Sequence, residues 1–226
     1  EFRGFLLRRP GTHKSRALGI CLSLVVSAAT ILTVILSANT VRSTDAVDLV
    51  LVLALDTSHS VDDGEFSLQR DGIASAFRHP AVLDAIRRGR HRRIGVAVMQ
   101  WAGEGQQIVS VPWTVIGTAI SAATFADEIA QLRRRFFGGR THIAGAIQAA
   151  NALTQSAPFA ATRRVVDVSG DGINTVGNSP HGARDAALLT GLTINGLAIT
   201  NEAYDLAEYY RLSVIGGPDA FVIQAD

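Results

Sequence analysis

The sequence predicts an α/β protein built on a doubly wound, mostly parallel sheet, preceded by an N-terminal transmembrane or signal segment. Three observations lead there. From Asp48 onward, short apolar runs alternate with stretches whose apolar residues fall at helical spacing. The runs are unbroken, as in Leu49–Leu55 and Ile94–Met99, which is how strands covered on both faces read. Several of them end abruptly in oxygen-bearing residues, Asp56-Thr57-Ser58-His59-Ser60 above all, and in open α/β sheets ligands bind beyond the carboxyl ends of the strands.

Length and composition set bounds. The 226 residues are 47% hydrophobic and 18% charged, enough for one sizeable core. Lys and Arg number 21 against 20 for Asp and Glu, a balance that favours neither nucleic-acid binding nor an acidic tail. The one cysteine, Cys21, lies in the N-terminal apolar stretch, so the folded part has no cysteine-based metal or redox site.

Taken in order, residues 1–16 form a basic N-terminus expected to stay in the cytoplasm. Residues 17–38 are uncharged and about as long as a membrane span; they read as an uncleaved anchor or as a cleaved secretory signal. In both cases the domain is expected outside the cytoplasm, membrane-held in the first case and secreted in the second. Residues 39–46 read as a linker and 47–226 as the globular domain.

Within that domain, Val61–Glu65 leads into a helix with Phe66, Ile73, Ala76 and Phe77 on one face, stopped by His79-Pro80. Ile94–Met99 is a buried strand, and Gln107–Val111, bordered by Pro112, an edge strand. Phe125, Ile129 and Leu132 mark a helix expected to close in Arg133-Arg134-Arg135, where cations suit a helix C-terminus. Gly138–Thr141 opens another helix, with Ile143, Ile147 and Ala150 on one face. Val165–Val168 is a strand running into Ser169-Gly170-Asp171-Gly172. Helix Arg184–Leu189, strand Leu192–Ile199, helix Tyr204–Arg211 and strand Phe221–Ile223 complete the series. The sequence stops three residues later without a covering helix, the pattern expected of a domain truncated at its C-terminus.

The chemistry concentrates in three loops. Asp56, Ser58 and Ser60 alternate, so an extended or gently turning backbone can aim their oxygens at one point. Oxygen donors of this hardness suit Mg2+, Mn2+ or Ca2+ rather than Zn2+. Asp-x-Ser-x-Ser, then Thr141 opening a helix, then Asp171-Gly172 after a strand resembles the von Willebrand factor A-like family and its metal-ion-dependent adhesion site. Gln100-Trp101, Pro112-Trp113-Thr114, Ser169–Gly172 and Val214–Pro218 look like a bacterial branch of that family, a domain of unknown function. The resemblance implies that Ser58 and Ser60 coordinate the ion directly, Thr141 directly or through water, and Asp56 and Asp171 through waters. It further implies Mg2+ as the ion, with Mn2+ or Ca2+ as alternatives, and a protein partner whose Asp or Glu fills the open position. His59, Trp101, Arg140 and His142 are then rim residues contacting that partner.

Other readings are weighed beside this one. A Mg2+-dependent phosphoester hydrolase would use the same ion as a Lewis acid, but the sequence offers no convincing nucleophile or base, and the domain is expected to bind rather than catalyse. The fold could also persist with a metal site that no longer functions. There is no Gly-x-Ser-x-Gly elbow, P-loop or His-Glu-x-x-His spacing. Arg87-Arg88-Gly89-Arg90-His91-Arg92-Arg93 is expected to be a solvated loop.

Overall fold

A computed structural model describes residues 45–199 and 205–225. The basic N-terminus, the 17–38 segment and most of the linker lie outside the described residues, as do Tyr204 and Asp226. Among the described residues no helix is long and apolar enough to cross a membrane.

Apolar content and register build the sheet. Strand β1, Ala46–Asp56, begins three residues before its apolar run and is its centre. Successive side chains point to opposite faces: Val52 and Ala54 join one core cluster, Leu53 and Leu55 the other. Asp62 then caps helix α1, Asp63–Arg78, in a reciprocal capping box with Glu65. His79-Pro80 does end this helix, but Pro80 also starts α2, Pro80–Arg87, with His79 as its N-cap. A proline's missing N–H costs nothing in a first helical turn, so one signal serves as both stop and start.

Strands β2, Ile94–Trp101, and β3, Gln107–Ile116, form the antiparallel edge. β3 runs on through Pro112, which an edge strand tolerates where the ladder shifts register. Helix α3, Ala119–Ala130, ends before the arginines, with no basic residue in its last turn. Arg133, Arg134 and Arg135 are therefore not helix-terminal cations: Gln100 takes a backbone N–H from Arg135 and donates to the carbonyl of Arg133, tying that segment to β2.

Helix α4, Ile143–Gln155, strand β4, Ala160–Gly170, helix α5, Pro180–Leu189, strand β5, Leu192–Ile199, helix α6, Leu206–Ser213, and strand β6, Val222–Ala225, follow. The sheet order is β3-β2-β1-β4-β5-β6, parallel except at β2–β3. Ile143, Ile147 and Ala150 of α4 and Tyr210 of α6 pack on one face, while Phe66 and Phe77 of α1 and Phe125 of α3 pack on the other. The chain leaves β1 toward the second face and β4 toward the first. Between their carboxyl ends lies the crevice where such sheets bind ligands.

The arginine loop closes the opposite end. Asp48, at the start of β1, accepts the backbone N–H groups of His91 (2.9 and 3.0 Å) and Arg93 (3.4 Å). Gly89 is required there, because a Cβ would lie 2.2 Å from Asp48 Oδ2. Arg87, Arg88, Arg90 and Arg92 are exposed, as expected of a solvated loop.

Candidate metal centre

Asp56 is the last residue of β1, and its backbone is still in the sheet while its carboxylate looks beyond it. The loop after it turns back on that carboxylate: Ser58 N donates to Asp56 Oδ1 at 2.7 Å. Thr57 points away, its hydroxyl donating to the carbonyl of Trp101 at 2.9 Å. Asp171 follows β4 directly, and Thr141 stands two residues before α4. Thr141 is held by a reciprocal pair, its N–H donating to Thr175 Oγ1 at 2.9 Å and its carbonyl accepting Thr175 N at 2.8 Å.

All five residues meet. Ser60 Oγ donates to Asp171 Oδ1 at 2.8 Å, Ser58 Oγ lies 3.3 Å from Ser60 Oγ, and Thr141 Oγ1 lies 3.5 Å from Ser58 Oγ. Neighbouring donors in an octahedral sphere of Mg2+–oxygen bonds stand roughly 3 Å apart, and a larger Ca2+ sphere spaces them somewhat wider, so the hydroxyls of Ser58, Ser60 and Thr141 stand near the spacing of one coordination shell, with Asp171 hydrogen-bonded to one of them. Among the described residues no three His, Cys, Asp or Glu side chains gather; the cluster consists of two carboxylates and three hydroxyls, a hard, all-oxygen set.

Its electrostatics also fit a cation. Asp56 is fully buried and its Oδ2 has no hydrogen-bond partner. Burial first, and then the neighbouring Asp171, push the Asp56 carboxyl up to about 8, against the pull of the Ser58 N–H. Burial likewise raises Asp171, against its bond from Ser60. The Tyr210 phenol behind them is held well above its ordinary value by burial and then by Asp56 and Asp171, so it stays protonated. Two carboxylates desolvated side by side are the environment a divalent ion neutralises.

The rim differs from expectation at one position. His59 and Arg140 are exposed beside the cluster, and His142 is half-buried with its ring against Gly145 and Gly177. Trp101 is fully buried and cannot touch a partner. As the last residue of a strand covered on both faces, it points its indole into the core cluster with Tyr210 and Ile143.

Several residues that shape the site were not singled out from the sequence. Arg134, nearly buried, donates from Nη2 to the carbonyl of Ser58 at 2.7 Å and so pins the Asp56–Ser60 loop from behind. Gln69 of α1 accepts from Ser169 at 2.7 Å and donates weakly to the Asp56 carbonyl at 3.4 Å. Gly139, at φ +112°, presents its carbonyl to His59 N at 3.1 Å. The Gly138-Gly139 pair was the available signal for that last contact. Nothing in the local sequence marks Arg134 or Gln69.

Comparison with solved structures finds the same fold. Proximal thread matrix protein 1 from the mussel byssus superposes with a TM-score of 0.59 at 14% identity, over 79% of this chain and 44% of that one. A form of it with a zinc-occupied MIDAS motif gives 0.57 at 16%, over 80% and 44%. The pilus adhesin SpaC from Lactobacillus rhamnosus GG gives 0.55 at 15%, over 82% and 29%. A von Willebrand factor type A structure from Catenulispora acidiphila gives 0.53 at 15%, over 80% and 39%. The chain spans less than half the length of each of these proteins. No curated protein sequence matches it. The model of one sequence family, Protein of unknown function (DUF1194), matches residues 46–226, the whole of the sheet and its helices; this chain belongs to that family and carries a von Willebrand factor A-like fold.

Proposed function

We propose that the domain is a metal-dependent protein-binding module rather than an enzyme. A divalent cation, Mg2+ by preference with Mn2+ or Ca2+ as substitutes, would be held by Asp56, Ser58, Ser60, Thr141 and Asp171. The ion supplies an electrophilic position that a partner's Asp or Glu carboxylate can complete. The observation that carries this is the run of side-chain oxygens from three separate loops, spaced 2.8 to 3.5 Å apart, beside a buried carboxylate oxygen with no partner. Folds of this kind in a mussel thread protein and a pilus adhesin, one of them with zinc in its MIDAS motif, support an adhesive role.

The chain's residues divide the work. Three neutral hydroxyls and two acids nearly balance a dication without saturating it, which leaves the ion electrophilic toward a further carboxylate. Arg134 fixes the loop bearing Ser58 and Ser60. His59 and Arg140, exposed beside the cluster, would meet the partner. Residues 17–38 would carry the domain out of the cytoplasm, as a retained anchor or a cleaved signal.

Water-proton relaxation of the Mn2+-loaded protein tests the open position. A short peptide containing one Glu should displace a metal-bound water and lower the relaxation enhancement, whereas the same peptide with Gln should not. Equal effects of both peptides would overturn the carboxylate reading. Metal-dependent turnover of simple phosphoesters would replace it with hydrolysis.

A further inference from the structure

Among the described residues, seven buried side-chain nitrogen or oxygen atoms have no hydrogen-bond partner. Three of them, Asp56 Oδ2, Tyr210 Oη and Trp101 Nε1, belong to fully buried residues that converge on Gly170. A Cβ built on Gly170 would stand 2.5 Å from Tyr210 Oη, 2.8 Å from Asp56 Oδ2 and 3.4 Å from Cζ2 of the Trp101 ring. The hydroxyl and the carboxylate oxygen therefore flank the same small space, which stays open because residue 170 has no side chain. Buried polar atoms are almost always paired, and here a donor and an acceptor left over by the rest of the fold border the same space at Gly170.

We propose that the Tyr210 hydroxyl is the donor that holds Asp56 Oδ2 across Gly170, with the Trp101 indole as the wall beside it, making Tyr210 a positioning residue for the metal centre. Asp56 is then held at both oxygens, Oδ1 by the Ser58 N–H on the loop side and Oδ2 by a phenol on α6. A bridging water relays the bond, the phenol donating to the water and the water to Oδ2, and a small shift of α6 makes it direct; in both cases the phenol is the group that orients Oδ2. Fixing the carboxylate plane pre-organises one of the two carboxylates that would hold the cation, and groups that orient such carboxylates commonly change metal affinity about 10- to 100-fold when altered. Cation affinity thereby depends on the seating of α6, whose first residue, Leu206, comes 36 positions after Gly170. This rests on the metal-site reading above and assigns the fully buried Trp101 a structural place that the rim could not give it.

The test uses the full chain in detergent, with Mn2+ as the probe. Tyr210→Phe removes one oxygen and keeps the ring packed, so the chain should still fold, with a modestly lower cation-free melting temperature because Asp56 Oδ2 loses its donor, while Mn2+ affinity falls about tenfold. In a double-mutant cycle on the cation-free chain, Tyr210→Phe and Asp56→Asn should shift the melting temperature non-additively, because coupled residues fail additivity. Unchanged affinity together with additive shifts would overturn the proposal. Should the wild type bind no Mn2+, the metal reading falls, and the cycle alone decides: coupling keeps the Tyr210–Asp56 pair and additivity removes it. If Tyr210→Phe does not fold, Gly170→Ala serves instead. Its methyl separates the two groups and should weaken Mn2+ binding by a similar factor, and unchanged binding would overturn the proposal.

Discussion

Strand β1 carries an aspartate near each end, and the two could hardly be treated more differently. At the amino end, burial pushes the Asp48 carboxyl up, but the backbone N–H groups of His91 and Arg93 outweigh it and hold the group below its usual range. At the carboxyl end, burial and Asp171 drive Asp56 up to about 8, with one oxygen unpartnered. The protein satisfies the first carboxylate by itself and leaves the second short of positive charge. Asp48 is therefore a clamp for the arginine loop, whereas Asp56 belongs to a site that is completed from outside. The contrast separates two uses of an aspartate at a strand end, one half-exposed and one buried, that one residue name conceals.

The sharpest way to break this comparison is to neutralise each acid in turn. Asp56→Asn should abolish Mn2+ binding, a loss larger than the roughly 10- to 100-fold typical of a metal ligand's outer partners, while the cation-free chain melts at the same or a higher temperature. Asp48→Asn should do the reverse, lowering the melting temperature and leaving Mn2+ affinity alone. Titration calorimetry and thermal melts on both variants check the pair; equal behaviour would erase the distinction.

Next in size is the clamp's own packing. Gly89→Ala would set a methyl 2.2 Å from Asp48 Oδ2, displacing the carboxylate from the N–H groups it accepts, and should lower the denaturant midpoint with no change in cation affinity. Denaturant midpoints measure it.

The smallest effect is in the pH dependence, where the two acids have opposite signs. Because Asp56 is raised in the folded state, that state keeps a proton the unfolded chain has lost, and cation-free stability falls as pH rises from roughly 4 toward 8. A cation displaces that proton, so the gain in melting temperature on adding Mn2+ should be larger at pH 8 than at pH 5. Asp48 is lowered, so its stabilisation is present above its unfolded value of about 4 and is lost as acid carries the pH through its lower folded value. A Mn2+ gain that shrinks with rising pH would contradict the assignment of Asp56.

Much of this was legible in the sequence because it is written locally. Spacing marked Asp56, Ser58 and Ser60 as one group, which the turn over residues 58–60 gathers, and runs such as Ile94–Met99 announced strands covered on both faces. Thr141 and Asp171 were legible as loop residues after expected elements, although their 3.5 and 2.8 Å contacts depend on the strand order. What stayed hidden depends on where a side chain goes across the fold. Arg134 read as one cation in a run of three, and only the grip of Gln100 on its neighbours sends it to Ser58. Trp101 read as a rim aromatic because a strand's last residue can face either solvent or core. Tyr210 is 154 positions from Asp56 in sequence, and no local pattern links them. His79-Pro80 read only as a stop because the same dipeptide signals a helix end and a helix start.

One divalent-cation site formed by Asp56, Ser58, Ser60, Thr141 and Asp171 demands one ion per chain. It is tested most directly by titrating the purified chain with Mn2+ and following the electron paramagnetic resonance signal of free Mn2+ in the wild type and in Asp56→Asn, Ser58→Ala and Thr141→Ala. One bound ion per wild-type chain, competed by Mg2+, is expected, with none in Asp56→Asn and weakened binding in the other two. No bound ion in the wild type, or equal binding in all four proteins, would contradict it.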